Sequence, residues 1–196
     1  MKIAIIGSGK GSNAKAIIEA EKNGLLGMAQ IVGIFSDIEK SGILDIANEY
    51  SVNCKWLECN SDSARLNNED ALKWIKILDD YSPDLIVLAG LMKIVPKVFI
   101  DHYDGRIINL HPSLLPSFKG INAIQQAHEY GVKISGCTIH WVSEDLDAGK
   151  IIAQAPVRLM PSDSLDACVQ KIRGAEHTLL PMTVANLSFE FKDMQH

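Results

Sequence analysis

The chain is poor in cysteine, has no excess of positive charge and contains no long apolar run. Each shortage removes a class of protein. The 4 cysteines stand at 54, 59, 137 and 168, and the nearest two, Cys54 and Cys59, are separated by four residues. That spacing matches neither a zinc site nor a redox pair, and a disulfide framework is not expected in a chain of 196 residues with so few thiols. Cys137 and Cys168 fall in apolar patterns and are read as small core residues. The 6 histidines form no HExxH-type pair, so no metal is expected. A formal net charge of −5 argues against a general nucleic-acid or anionic-membrane surface. No apolar stretch approaches the ~20 residues of a membrane helix. The opening Met1-Lys2 and its short Ile/Ala run are too brief for a secretory signal. The expectation is a cytoplasmic protein with neither nucleic acid nor membrane as partner.

What is present is ordinary for a globular chain, 47% hydrophobic and 22% charged, and the length suits one domain. Residues 2–6 read as a buried strand. Ser12 is expected to cap a helix that stops near Asn23-Gly24, with Gly24 left-handed. Further strands are predicted at 31–35 and 52–57, and a helix at 42–50. Within 64–80, Ala71, Trp74, Ile75 and Leu78 recur at helical spacing. The fully apolar runs 85–89 and 107–110 are strands of the parallel-sheet type. Beyond them come a loop at 111–120, a short helix at 121–130, and two strands at 134–142 and 150–157 joined by 143–149. A final helix starts near Ser162-Asp163, and Pro181 should kink or break it. This alternation predicts an α/β fold with an open, mostly parallel twisted sheet and helices on both faces. Its N-terminal half is Rossmann-like, with antiparallel strands toward the C-terminus.

The first strand runs into Gly7-Ser8-Gly9-Lys10-Gly11-Ser12-Asn13. A glycine turn at a helix N-terminus gathers backbone N–H groups around a point where anions bind. The triphosphate-binding pattern G-x-x-x-x-G-K-[ST] fails, because Ala4 and Gly11 stand where Gly and Ser or Thr are needed. Gly9-x-Gly11-x-x-Ala14, with Asp37 ending the next strand, fits a dinucleotide site loosely. A smaller phosphate, or a plain strand–helix turn, fits the same residues.

Asn109 and His111 end a parallel strand, at the edge where ligands gather in open α/β sheets. Their i, i+2 spacing puts both side chains on one face. Either residue alone has an ordinary structural explanation, as does Asp147 in the polar turn 143–149.

The stretches Asn109-Leu110-His111-Pro112-Ser113-Leu114-Leu115-Pro116, Gly120, Gly136-x-Thr138-x-His140-x-Val142 and Asp147-x-Gly149-x-Ile151-Ile152-x-Gln154 settle which reading to carry forward. With Gly9-x-Gly11-Ser12-Asn13 they resemble the folate-dependent formyltransferase family, from residue 2 to about 185. The resemblance implies transfer of a formyl group from 10-formyltetrahydrofolate, as cosubstrate, to the amine of glycinamide ribonucleotide in purine synthesis. It implies no metal and no nicotinamide. Asn109, His111 and Asp147 would be catalytic. Gly11, Ser12, Asn13, Pro112 and Glu176 would hold the nucleotide, with its single 5′-phosphate in the glycine loop. Met92, Lys93, Ile94 and Val95, with Asp147, would hold the folate, and loop 143–147 would close over its pterin. The single domain 1–196 would divide into a phosphate-binding half, about 1–105, and a catalytic and folate-closing half, about 106–196. The family often has Arg at the place of Lys93 and His at the place of Asn122. Its folate-tail arginine finds only Arg65, out of register. The alternatives are a hydrolase of the same folate, whose relatives carry an extra N-terminal domain, a non-catalytic folate or nucleotide binder, and an NAD-dependent dehydrogenase resting on the glycine loop alone.

Overall fold

A computed structural model of the protein describes residues 1–60 and 63–193. Thirteen elements follow in order: β1 Lys2–Ile6, α1 Ser12–Lys22, β2 Gln30–Ser36, α2 Gly42–Glu49, β3 Cys54–Trp56, α3 Asn68–Asp79, β4 Leu85–Leu88, α4 Lys97–His102, β5 Ile107–His111, α5 Ala123–Tyr130, β6 Ile134–Trp141, β7 Ile151–Arg158 and α6 Leu165–Asp193. The strands form one sheet in the order β3-β2-β1-β4-β5-β6-β7. The first five run parallel, and β6 and β7 are antiparallel.

The reason β1 is apolar throughout is that it is covered on both faces. Ile3 and Ile5 pack with residues of α1, α2 and α6, while Ala4 and Ile6 pack with residues of α3 and α4. Cys137 and Cys168 are buried, as expected. Strand order reverses between β1 and β4, which opens a crevice at the carboxyl ends of the strands. Ser8 stitches the two sides of that crevice together. Its N–H donates to the Gly90 carbonyl (3.1 Å), and its hydroxyl accepts from the Met92 N–H (2.8 Å).

Three local expectations are corrected. Gly11, not Ser12, is the N-cap of α1, at φ 78°, and Ser12 is the first helical residue. The left-handed backbone and the close approach to α2 both require glycine, since a Cβ there would lie 2.6 Å from the Ile43 Cα. The last helix begins at Leu165, because the Ser164 hydroxyl accepts from the Ala167 N–H (3.2 Å) and serves as cap. Asp163 is already committed to the Met160 N–H (2.7 Å) and Lys171 (2.5 Å). Pro181 does not break α6. Ile172, Leu180, Val184 and Leu187 bury around it against the sheet. At about 1.5–3 kcal/mol per buried apolar side chain, this outweighs the ~3 kcal/mol cost of an interior proline.

Candidate active site

The β5–β6 register builds the centre of the crevice. Asn109 lies directly opposite His140, and His111 opposite Thr138. Residues two apart on a strand share a face, so these four side chains form one patch. After His111 the chain turns through Pro112 and a cis Leu115–Pro116 bond. Thr138 holds this loop from below: its hydroxyl donates to the Ser113 carbonyl (2.7 Å) and accepts from the Leu115 N–H (3.0 Å). Gln154 donates to the Leu115 carbonyl at 3.0 Å. The loop so held presents the Phe118 carbonyl to His111 Nε2, 2.8 Å away.

Asp147 reaches the patch from the turn between β6 and β7, in a left-handed conformation (φ 49°) that Asp tolerates. Gly149 permits the approach, because a Cβ there would fall 1.7 Å from the Trp141 carbonyl oxygen. Asp147 Oδ2 accepts from the Gly120 N–H at 2.8 Å and lies 3.3 Å from His111 Nδ1. Its Oδ1 lies 3.6 Å from His140 Nε2. Burial pushes the carboxyl up, but His140, the Gly120 amide and the charge of His111 together hold it below the ordinary aspartate value. Asp147 is therefore ionised although only 8% exposed. His111 faces a carbonyl at one ring nitrogen and this carboxylate at the other. Both partners accept only, so the arrangement suits an imidazolium.

A cavity of about 600 Å³ opens over the patch. Asn109, His111, Pro112 and Asp147 line it, as do Met92, Lys93, Ile94 and Val95. Loop 143–147 forms part of its wall. Glu144 in that loop pairs with Lys97 at the start of α4, which follows the 92–95 segment directly. The Lys93 ammonium donates to the Ser63 carbonyl at 2.7 Å. Arg65 is brought beside Ile94 by a short parallel bridge, ahead of α3 rather than within it.

Gly11, Ser12, Asn13 and Glu176 do not line this cavity; they form a neighbouring group. The Asn13 Nδ2 donates to Glu176 Oε2 at 3.1 Å, joining the glycine loop to α6. Glu176 is 6% exposed rather than a surface charge, and burial raises its carboxyl against the opposing Asn13 bond. No side chain caps α1, so its first N–H groups have no side-chain partner, as an anion site would require. Arg173, one turn before Glu176 on α6, lines the cavity.

Two residues of the site were not assigned roles from the sequence. His140 alternates with Gly136 and Thr138 along β6, a period that marks one face but not its cross-strand neighbour. Arg173 stands three residues before Glu176, a helical offset that signals a shared face. Among the described residues no group of three or more His, Cys, Asp and Glu is placed to hold a metal ion, and no helix is long and apolar enough to cross a membrane. The arrangement can donate hydrogen bonds to a developing oxyanion, keep an imidazolium beside a carboxylate, and seat an anion close by.

A formyl transferase family profile matches residues 1–184. The chain is similar to phosphoribosylglycinamide formyltransferase of Escherichia coli strain K12, with 34% identity over 185 residues that cover 94% of this chain and 86% of that protein. It is also similar to the trifunctional purine biosynthetic protein adenosine-3 of Homo sapiens, with 36% identity over 182 residues and 92% of this chain. It spans only 18% of the length of that relative. The crystal structure of phosphoribosylglycinamide formyltransferase from Bacillus halodurans superimposes with a TM-score of 0.89 at 34% identity, covering 95% of each chain.

Proposed function

The chain belongs to the formyl transferase family, and from that membership and the geometry above we propose that it moves a formyl group from 10-formyltetrahydrofolate to the amine of glycinamide ribonucleotide, in purine synthesis. The observation that carries this reading is the convergence of Asn109, His111 and Asp147 on one cavity beside a glycine loop built for a small anion. Formyl transfer asks for this set. Attack of an amine on a formyl carbon places negative charge on the formyl oxygen and a surplus proton on the attacking nitrogen. The Asn109 amide donates to that oxygen, and the His111 imidazolium, whose two N–H groups face Asp147 and the Phe118 carbonyl, stabilises it by its positive charge. Asp147 keeps His111 charged and oriented, and assists the proton's passage from the attacking nitrogen to the departing one. A preorganised donor contributes about 10²–10³ in rate and a positioned acid–base about 10²–10⁴.

The division of labour follows the fold. Residues from about 1 to 105 supply the phosphate cradle, with Gly11, Ser12 and Asn13 around a single 5′-phosphate, and Arg173 and Glu176 complete it from α6. Residues from about 106 to 196 supply the catalytic groups and the closing loop. The cavity suits a flat heteroaromatic ring: Leu88, Ile94, Val95 and Val142 are apolar walls, and the strand ends carry backbone polar groups. Met92, Lys93, Ile94, Val95 and Asp147 would hold the reduced folate, which supplies the formyl carbon. Small molecules are thus the partners, in a cytoplasmic setting.

An assay with purified protein, 10-formyltetrahydrofolate and glycinamide ribonucleotide tests the reading. Donor consumption should depend on the nucleotide and yield its formylated form. Equal consumption without nucleotide would identify a hydrolase, and ligand binding without turnover would identify a binder.

A further inference from the structure

His140 is buried, 2% exposed, and lies between two of the three proposed catalytic groups. Its Nδ1 is 2.9 Å from the Trp141 carbonyl oxygen, and its Nε2 is 3.2 Å from Asn109 Nδ2. A carbonyl oxygen only accepts, so Nδ1 carries the proton. Of the two groups beside Nε2, the Asn109 nitrogen is within hydrogen-bond distance at 3.2 Å and Asp147 Oδ1 stands beyond it at 3.6 Å, so Nε2 meets a donor and keeps its lone pair, which makes the ring neutral. The carboxamide of Asn109 has one donating end and one accepting end. Turned the other way, its oxygen would meet the lone pair of His140. The neutral ring therefore selects one of the two amide orientations, the one with nitrogen toward His140. The amide nitrogen has two hydrogens; the first is spent on His140, and the second remains for the cavity that Asn109 lines.

We propose that His140 is a positioning residue that fixes the Asn109 carboxamide with its free N–H toward the reacting oxygen. The chain of orientation runs from the Trp141 carbonyl through the His140 ring to the Asn109 amide, and sheet register sets it, because Asn109 and His140 are directly opposed on β5 and β6. The inference rests on the formyl-transfer reading for its consequence, but the tautomer and the amide orientation stand independently of any reaction.

Two measurements separate these layers. Long-range proton–nitrogen correlation spectra of the imidazoles, on the protein without substrates, should find His140 protonated at Nδ1 with Nε2 bare. The opposite tautomer, or a ring protonated at both nitrogens, overturns the proposal whatever the protein catalyses. In the formyl-transfer assay, His140→Phe should lower kcat by about tenfold to a hundredfold, less than the 10²–10³ of deleting the donor itself, with both KM values little changed. His140→Gln, which can present a carbonyl oxygen as acceptor, should recover part of that loss and guards against misfolding of the Phe variant. The double-mutant cycle decides the route. In an Asn109→Ala background, His140→Phe should have little further effect. If the full loss persists there and vanishes in an Asp147→Asn background, His140 acts through the carboxylate and the proposal is wrong. Wild-type protein that shows the Nδ1 tautomer but transfers no formyl group would instead refute the functional reading.

Discussion

The turn after β1 and the cleft after β5 both sit at the carboxyl ends of parallel strands, yet they are made of different material. The first is main chain: Gly7 to Gly11 leave β1, Gly11 caps α1 in a left-handed conformation, and no side chain caps the helix. The second is side chain: an amide, two imidazoles and a buried carboxylate, supplied by β5, β6 and the turn beyond. A main-chain site tolerates exchange of its side chains but not of glycines such as Gly7 and Gly11, where a Cβ would lie 2.6 Å from neighbouring backbone. A side-chain site loses its chemistry with any one functional group. On the proposed reading the contrast also separates binding from turnover, since oriented amides would hold an anion that does not change during reaction, whereas the charged pair would answer a charge that appears only at its peak.

The sharpest way to break this contrast is Asp147→Asn. The substitution keeps size but removes the charge beside His111, so kcat should fall by about 10²–10⁴ while nucleotide binding changes little. Near-wild-type turnover would remove Asp147 from the mechanism. Next in size is Gly149→Ala. A methyl group 1.7 Å from the Trp141 carbonyl oxygen forces the 143–149 turn outward and carries Asp147 with it. Turnover should drop by roughly tenfold or more, as expected for about 1 Å of misplacement, while the fold persists by circular dichroism. A variant as active as the wild type would show that this backbone contact does not set the position of Asp147.

A smaller effect is expected on the other side of the comparison. Asn13→Ala deletes the amide that meets Glu176 and leaves the loop backbone in place. It should raise KM for the nucleotide several-fold with kcat preserved, about 1–1.5 kcal/mol for one hydrogen bond. A fall in kcat with unchanged KM would place Asn13 in the chemistry instead. The smallest effect is on stability. The Asp147 carboxyl is held below its ordinary value, so its stabilising contribution is complete above about pH 3.9 and disappears as pH falls through the lower folded-state value. The gap in urea midpoint between wild type and Asp147→Asn should therefore be constant near neutrality and close in acid. A gap that does not respond to acid would mean that Asp147 titrates alike in the folded and unfolded chain.

The same contrast explains what could be read from the sequence. Strand and helix patterns were legible because β1, β4 and β5 are buried on both faces and α3 on one, and burial writes itself into local apolar runs. Asn109 and His111 were legible as a pair because two-residue spacing fixes a shared face. His140 was not, because its meaning depends on which residue of β5 it opposes, and register lies in no single segment. Glu176 is reachable only through the family resemblance, for a similar reason. Its partner, Asn13, is 163 residues away. Ser12 was misplaced as a cap because a left-handed glycine at the cap position leaves no sequence mark distinct from an ordinary turn. Pro181 reads as a break because the local penalty is visible in the sequence and the burial of α6 that keeps the helix continuous is not.

The opposed pairs Asn109–His140 and His111–Thr138 link assembly to competence. A slip of one position between those two strands would send His140 and Thr138 to the reverse side of the layer, away from Asn109 and His111 on β5, which β4 holds in place. Correct zippering of β5 to β6 and the birth of a working centre are then one event, so a refolding chain should regain native sheet and turnover in step, without a well-folded but inert intermediate.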